Sequence, residues 1–167
     1  GSVGEWAART AGEWGNSIGV SICANSTAFE ETAVTTTSAE EAIGQTVISV
    51  TDGSAFTLHD IVNFGEERGF EYQVTATDSS ANTITIKLKD DPNGAGLQST
   101  IAVATSIRRR WRFYDLFDEA PGTSDFATQN QRGTGDEIHI VVYDQLGEIS
   151  GFAVESNGNR TNAVLET

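Results

Sequence analysis

Few residues in this sequence of 167 could carry out acid–base or nucleophilic chemistry. His59 and His139 are its only histidines, and Cys23 is its only cysteine. Asp60 follows His59, but neighbouring residues of a strand point to opposite faces, so the two are not a catalytic pair by themselves. Cys23 lacks the accompanying histidine and acid that activate a nucleophilic thiol. We therefore predict structural roles for both histidines and for the thiol.

The acidic residues, 24 in all, include doublets such as Glu40-Glu41 and Glu66-Glu67. A glycoside hydrolase would need two carboxylates facing each other in a cleft, one with a raised pKa. Among so many acids, accidental pairs are expected. The segment DDPNG at 90–94 lacks the alternating ligands and final glutamate of an EF-hand, and it favours a turn. We predict no enzyme activity, no metal site and no cofactor, with a glycoside hydrolase as the least favoured option.

The net charge of −14 makes binding to nucleic acid unfavourable, because affinity for phosphate comes mainly from lysine and arginine. Four of the ten basic residues lie together in RRRWRF at 108–113, namely Arg108, Arg109, Arg110 and Arg112. Arginine pairs well with carboxylates. We predict that these arginines contact acidic neighbours, either within this chain or on another copy. No apolar run is long enough to cross a membrane.

Alternating apolar residues predict a strand-rich chain. Ile18, Val20 and Ile22 indicate a strand at 17–23, and Glu137–Tyr143 is apolar on both faces, which favours a central strand. A turn at 144–147 leads into a further predicted strand at 148–155. Five short strands are predicted between these elements: 46–50, 59–64, 70–77, 82–88 and 100–105.

Short helices are predicted at two places. Ser38 can cap one that ends at Gly44, and the other covers 112–117. Residues 25–38 are expected to form a loop or a weak edge, and residues 118–136 a loop.

These elements give an α+β, β-rich fold class, a sheet-based domain with few short helices. We predict a discontinuous domain formed by 1–45 and 106–167. The region 46–105 is predicted to be an inserted all-β module, a small barrel or sandwich.

Two segments resemble a known family. In AARTAGEWGNSIGVSI, the residues Gly12, Glu13, Trp14, Gly15 and Asn16 are similar to a turn that precedes a strand in tail sheath proteins of contractile-tailed bacteriophages. DEIHIVVYDQLGEISGFAVES is similar to a later hairpin of that family, through Asp144, Gly147 and Gly151 among others. The closing AVLET resembles the start of the family's next segment, so we expect a fragment of a longer chain.

The resemblance implies a structural protein of a phage virion, assembled in the bacterial cytoplasm. Copies of the full protein would surround a tail tube, meet a baseplate and contract to drive the tube through the host envelope. Its partners would be other sheath copies, the tube and the baseplate, without nucleic acid or membrane. The fragment by itself is expected to be monomeric.

Within that resemblance, the opening motif is predicted to be a rigid joint. Gly12 and Gly15 would permit a tight turn, Trp14 would cover the end of the core or a neighbouring element, and Asn16 would tie the turn to the strand. The alternative from another class is a carbohydrate-binding or adhesin module, in which Trp6, Trp14 or Trp111 would form an exposed platform.

Overall fold

The computed structural model describes residues 9, 12–89, 91, 93–154 and 160–162. Over these ranges the chain is rich in strands and has three short α-helices, which confirms the predicted α+β, β-rich class. The helices are α1 (Glu13–Asn16), α2 (Ser26–Phe29) and α3 (Asp125–Asn130). The strands are β1 (Ile18–Cys23), β2 (Thr32–Thr36), β3 (Val47–Ser49), β4 (Ile61–Asn63), β5 (Tyr72–Asp78), β6 (Thr83–Leu88), β7 (Ser106–Arg110), β8 (His139–Asp144), β9 (Phe152–Val154) and β10 (Arg160–Asn162).

Six of these strands form a small antiparallel barrel, which we call the barrel. Their order is β2-β7-β4-β5-β6-β3. The two edge strands meet where Thr37 pairs with Val50, beside a hydrogen bond from the Thr51 amide to the Thr36 carbonyl (2.9 Å). Closure of this kind removes the unpaired edges that a flat sheet would expose.

Alternate residues of the barrel strands fill its interior. Tyr72 and Val74 on β5, and Ile84 and Ile86 on β6, are all buried, as the two-residue period of a strand requires. Register shifts in β2 and in β5 mark bulges, and bulges bend strands as closure demands. The other buried side chains of this core are Ile48, Val50, Phe56, Val62, Phe64, Leu97, Ile101 and Ile107.

The barrel takes one strand from each side of the predicted 46–105 module. β2 precedes that range and β7 follows it, so the barrel strands extend from Thr32 to Arg110. Residues 25–38 were expected to form a loop or a weak edge, and they contain both the strand β2 and the short helix α2. The division into domains stays a prediction.

A second sheet consists of β1 and β8 alone among the described residues, and we call it the ribbon. The strands are antiparallel, with Ile18 opposite Asp144 and Cys23 opposite His139. The prediction that 137–143 forms a central strand is wrong, because β8 has only β1 beside it in the described chain. Ile140 and Val142, on its outer face, are exposed in the described part of the chain.

Two other local predictions are wrong. No helix forms at 38–44; Glu41 instead pairs with Ile101 in a β-bridge, and its buried carboxylate accepts the Ser49 amide (2.7 Å). No strand runs through 100–105, where a turn leads into β7. Long-range hydrogen bonds thus outweigh the local capping signal at Ser38.

The remaining predicted elements are only partly realised. The helix expected at 112–117 is a single 3-10 turn at Tyr114–Leu116, and the loop expected at 118–136 contains α3. The strand expected at 148–155 begins only at Phe152, and β9 pairs with β10. No helix in the described ranges combines the length and the hydropathy needed to cross a membrane.

Candidate functional site

The two segments that carry the family resemblance meet at one end of the ribbon. α1 leads directly into β1, and β8 ends at Asp144, opposite the first residue of β1. The Gln145 amide donates to the Ser17 carbonyl (2.6 Å), and the Leu146 amide donates to the Ser17 hydroxyl (3.1 Å). We call this meeting of the two turns the joint.

Asp144 is the centre of the joint. Its carboxylate accepts hydrogen bonds from the Ser17 hydroxyl and from the amides of Gly147 (3.0 Å), Ile149 (3.0 Å) and Ser150 (2.7 Å). The Ser150 hydroxyl adds another at 2.9 Å. One side chain thereby holds both the strand β1 and the whole turn after β8.

These contacts favour the ionised carboxylate. Burial alone would raise the pKa of Asp144, but hydrogen bonds from the Ser17 hydroxyl, from both donors of Ser150 and from the Ile149 amide lower it well below its usual range. Asp144 is therefore an acceptor at neutral pH and has no proton to donate as a general acid.

The glycines of the second motif permit this turn. Gly147 and Gly151 have φ values of 79° and 75°, which side chains with a Cβ rarely adopt. The Gly151 amide also donates to the Gly147 carbonyl (2.9 Å). The motif residues Asp144, Gly147 and Gly151 thus form one turn.

The first motif is arranged differently from the prediction. Trp14 covers no core, since it is 71% exposed, and Ser17 rather than Asn16 ties the turn to the strands. Gly12 and Gly15 close the turn through the bond from the Gly15 amide to the Gly12 carbonyl (3.1 Å). Glu13 lies in α1.

An aromatic cluster lies beneath the inner face of the ribbon. Trp111 is buried next to Cys23 and Phe113, and its indole N–H donates to the Ser21 hydroxyl (2.8 Å). His139 stacks on the Phe117 ring at 4.0 Å between centroids. His139 is thus a packed residue, as predicted. Burial raises the pKa of the Cys23 thiol, which makes it a poor nucleophile.

Three of the four clustered arginines have partners within the chain. Arg110 pairs with Glu71, and Arg109 donates to the Ala55 carbonyl (2.5 Å) and lies 3.5 Å from Asp60. Arg112 packs its guanidinium over the Phe113 and Tyr143 rings, at 4.2 and 4.7 Å. Arg108 is exposed at the barrel surface.

Arg112 connects the ribbon to the barrel. Burial lowers the pKa of its guanidinium, and Tyr143 partly offsets that effect. The positive charge of Arg112 also affects His59. The pKa of the His59 imidazole is lowered mainly by burial, and then by the charges of Arg112 and Lys87. A neutral His59 is the form that this surrounding favours.

Glu71 holds a second set of polar contacts at the same boundary. Its carboxylate contacts Arg110, Lys89 (3.3 Å) and the Tyr114 hydroxyl (2.7 Å). Burial would raise the pKa of Glu71, but Tyr114 and the two cations lower it overall. The set joins the start of β5, the end of β6 and the end of β7 to the 3-10 turn at 114–116. That turn precedes the aromatic residue Phe117 beneath the ribbon.

The contacts of the joint, the aromatic cluster and Glu71 are suited to holding separate segments of the chain together. No group of histidine, cysteine and carboxylate side chains suitable for a metal occurs among the described residues. Asp60 illustrates the pattern: burial raises its pKa, yet it accepts the Thr57 amide (2.8 Å) and faces Arg109. Trp6 and the closing AVLET at 163–167 lie outside the described residues.

Comparison with known proteins adds no relative: no protein-family model matches this chain, and no curated protein matches it either.

Proposed function

We propose that this chain is part of a contractile tail sheath protein, the class that both motifs resemble. Its role is then structural: it holds the shape of a subunit that stacks around a tail tube and changes its contacts when the tail contracts. The energy of contraction would come from differences between two packings of subunits, without a reaction in this chain.

One observation carries the proposal. The two resembling segments are separated by more than a hundred residues, yet the Ser17–Asp144 hydrogen bond joins them. Segments that belong to one family pattern are expected to form one structural unit. The shared residues include Asp144, Gly147 and Gly151, and these form the turn that receives Ser17.

Most of the arginine cluster follows the first of the two predicted alternatives, contacts within this chain. Ion pairs within the chain engage Arg109 and Arg110, and aromatic rings within the chain engage Arg112. Arg108 is the member whose exposure suits a contact with an acidic neighbour. The proposal therefore places only Arg108 among candidate intersubunit residues.

Electron microscopy of the full-length polypeptide that contains this sequence tests the proposal. Purified without other virion proteins, a sheath subunit should form long hollow tubes. The Asp144→Asn variant, which disrupts the joint, should form less tube than the wild type. Arg108→Ala should also form less, because it loses a candidate contact with an acidic neighbour. Dispersed particles at high protein concentration would count against the sheath assignment.

A carbohydrate-binding or adhesin module is the second candidate, and the exposure of Trp14 favours it. Tryptophan is enriched at binding interfaces, because it presents a large apolar ring together with a polar N–H. Trp111 does not contribute, because it is only 8% exposed. Binding of the chain to a glycan array, lost in Trp14→Ala, would support this candidate over the sheath.

A further inference from the structure

Buried polar atoms without partners lie on the outer side of the barrel, near the segment that follows β7. Tyr72 and Val74 point into the barrel, so Gln73 between them points outward, yet it is fully buried. Neither the amide oxygen nor the amide nitrogen of Gln73 has a hydrogen-bond partner among the described residues, and neither contacts solvent. The Nδ1 atom of His59 and the Nε atom of Arg112 are buried in the same condition.

Strand pairing places these groups close together. Gln73 lies directly opposite Lys87, so the two side chains share the outer face of the sheet. The His59 amide donates to the carbonyl of Val74, the residue after Gln73 (2.8 Å). The positive charges of Arg112 and Lys87 both act on the His59 imidazole. We call His59, Gln73, Lys87 and Arg112 the wall cluster.

The segment after β7 covers this part of the barrel wall. Its Tyr114 hydroxyl donates to Glu71, which lies two residues before Gln73 and on the same face of β5 (2.7 Å). Nearer to the ribbon, the Arg112 guanidinium packs over the Tyr143 ring. The wall cluster therefore lies where the barrel contacts the segment that supports the ribbon.

The wall cluster contains two cations and no acid. Among the described residues, no carboxylate lies within ion-pair distance of Lys87, Arg112 or His59, although the chain has a net charge of −14. The nearby carboxylates have other partners, because Asp60 pairs with Arg109 and Glu71 with Arg110 and Lys89. A proton on His59 would thus meet two positive charges without an acid to balance them.

The backbone at His59 is also strained. Its φ is 75°, in the left-handed region that residues other than glycine seldom occupy. The turn at 57–60 that contains it leads directly into β4 at Ile61. Unpartnered buried groups and backbone strain both cost free energy, so a contact that holds them together opens more easily than the barrel core.

We propose that His59 is a proton-sensitive release: its protonation lifts Arg112 and the adjoining segment from the outer wall while the barrel stays closed. A charged imidazole at this position would be repelled by Lys87 and Arg112, and it would gain hydration by leaving the contact. The inference does not depend on the proposed function.

The direction of the pH effect follows from the same surroundings. Burial and the two cations lower the pKa of His59, so the folded chain favours the neutral imidazole. The contact is therefore strongest above the ordinary pKa of 6.5 and weakens as the pH falls below that value. Glu71 stays ionised in this range, because its pKa is lowered from 4.5, and it keeps its own contacts.

The experiment is thiol labelling with N-ethylmaleimide at about pH 7.5 and about pH 5.5, with free glutathione as the reference for the effect of pH on the reagent. Ile61→Cys places the thiol on the outer face, since Ile61 lies opposite Gln73 and is 1% exposed. Val62→Cys is the matched control, because Val62 is also 1% exposed but points into the barrel. Both variants carry Cys23→Ala, so that each protein has a single thiol.

We expect labelling of Ile61→Cys, relative to glutathione, to rise by up to about tenfold on acidification, as one proton on a group of pKa 6.5 in the open form allows. Labelling of Val62→Cys should not rise. Adding His59→Asn to Ile61→Cys should remove the rise, since asparagine tolerates the left-handed backbone and does not titrate. Without any cysteine variant, urea unfolding should show a smaller loss of stability on acidification in His59→Asn than in the wild type.

Three results would overturn the proposal. An equal rise in Ile61→Cys and Val62→Cys would mean that acid opens the barrel as well as the contact. A rise that persists with His59→Asn would assign the opening to another group, such as Asp60, whose pKa is raised by burial. An equal loss of stability in His59→Asn and the wild type would show that His59 takes no part in the response to acid.

Discussion

The Ser17 hydroxyl donates a hydrogen bond to the Asp144 carboxylate across 127 positions of sequence. Around this contact, the turn before β1 and the turn after β8 become one unit. The same carboxylate also accepts the amides of Gly147, Ile149 and Ser150. A single acidic side chain therefore contacts both turns at this end of the ribbon.

Asp144→Asn should lower the melting temperature by several degrees. An asparagine side chain has one acceptor oxygen where the joint presents several donors, and its NH₂ group would face N–H or O–H groups. Thermal unfolding followed by circular dichroism measures the effect. Asp118→Asn, at an exposed position, is the matched control and should leave the melting temperature nearly unchanged. Equal shifts in both variants would contradict the role of the joint.

Acid should remove the contribution of Asp144 to the stability of the fold. Because the pKa of Asp144 is lower in the folded chain than its ordinary value of 3.8, ionisation stabilises the fold fully above that value. The contribution is lost as the pH falls below 3.8 towards the folded pKa. The difference in stability between wild type and Asp144→Asn should be constant near neutral pH and shrink in strong acid. A difference that grew on acidification would contradict this sign.

Gly19→Ala should destabilise the chain by about 1–3 kcal/mol, the usual cost of overpacking. Gly19 lies opposite Tyr143, and an added Cβ would overlap the Tyr143 ring. Phe113 and Arg112 pack on that ring and restrict its movement. Urea unfolding measures the change. In Gly122→Ala the new Cβ would meet only the Glu137 side chain at 3.5 Å, so that control should be nearly neutral.

Glu71→Gln should cost about 1.5–3 kcal/mol, the range for a hydrogen-bonded charged group. The change keeps the shape but removes the charge that faces Arg110 and Lys89. Since the pKa of Glu71 is lowered in the folded chain, its contribution is present above its ordinary pKa and lost in acid. Urea unfolding at neutral pH measures the loss. Exposed Glu67→Gln is the control, and a loss of equal size there would contradict the assignment.

Local patterns in the sequence were sufficient for much of the fold. The alternation of Ile18, Val20 and Ile22 predicted β1, and similar patterns predicted β3 to β6 within about two residues at each end. Such patterns predict strands because successive side chains of a strand point to opposite faces, so the alternation can be read from adjacent residues alone. The loop predicted at 118–136 contains a local signal for α3: the Ser124 hydroxyl, followed by Asp125, accepts the Ala127 amide (3.1 Å) and caps the helix.

The joint could be predicted only in part. The glycines around Asp144 indicated a turn, but nothing near Ser17 showed that its hydroxyl would meet that turn. The exposure of Trp14 was not specified by the sequence for the same reason. An acidic partner for Arg110 was predicted, but not that this partner is Glu71. The surroundings of each residue depend on which distant segment of the chain packs beside it.

The sequence by itself determined the strand-rich class, most strand positions and the turn glycines, because these follow from backbone preferences and from the period of apolar residues. Tertiary structure alone decided that Thr37 and Val50 close the barrel, that β2 and β7 join it, and that Ser17 meets Asp144. Hydrogen bonds between distant strands satisfy backbone groups whose partners no local pattern specifies.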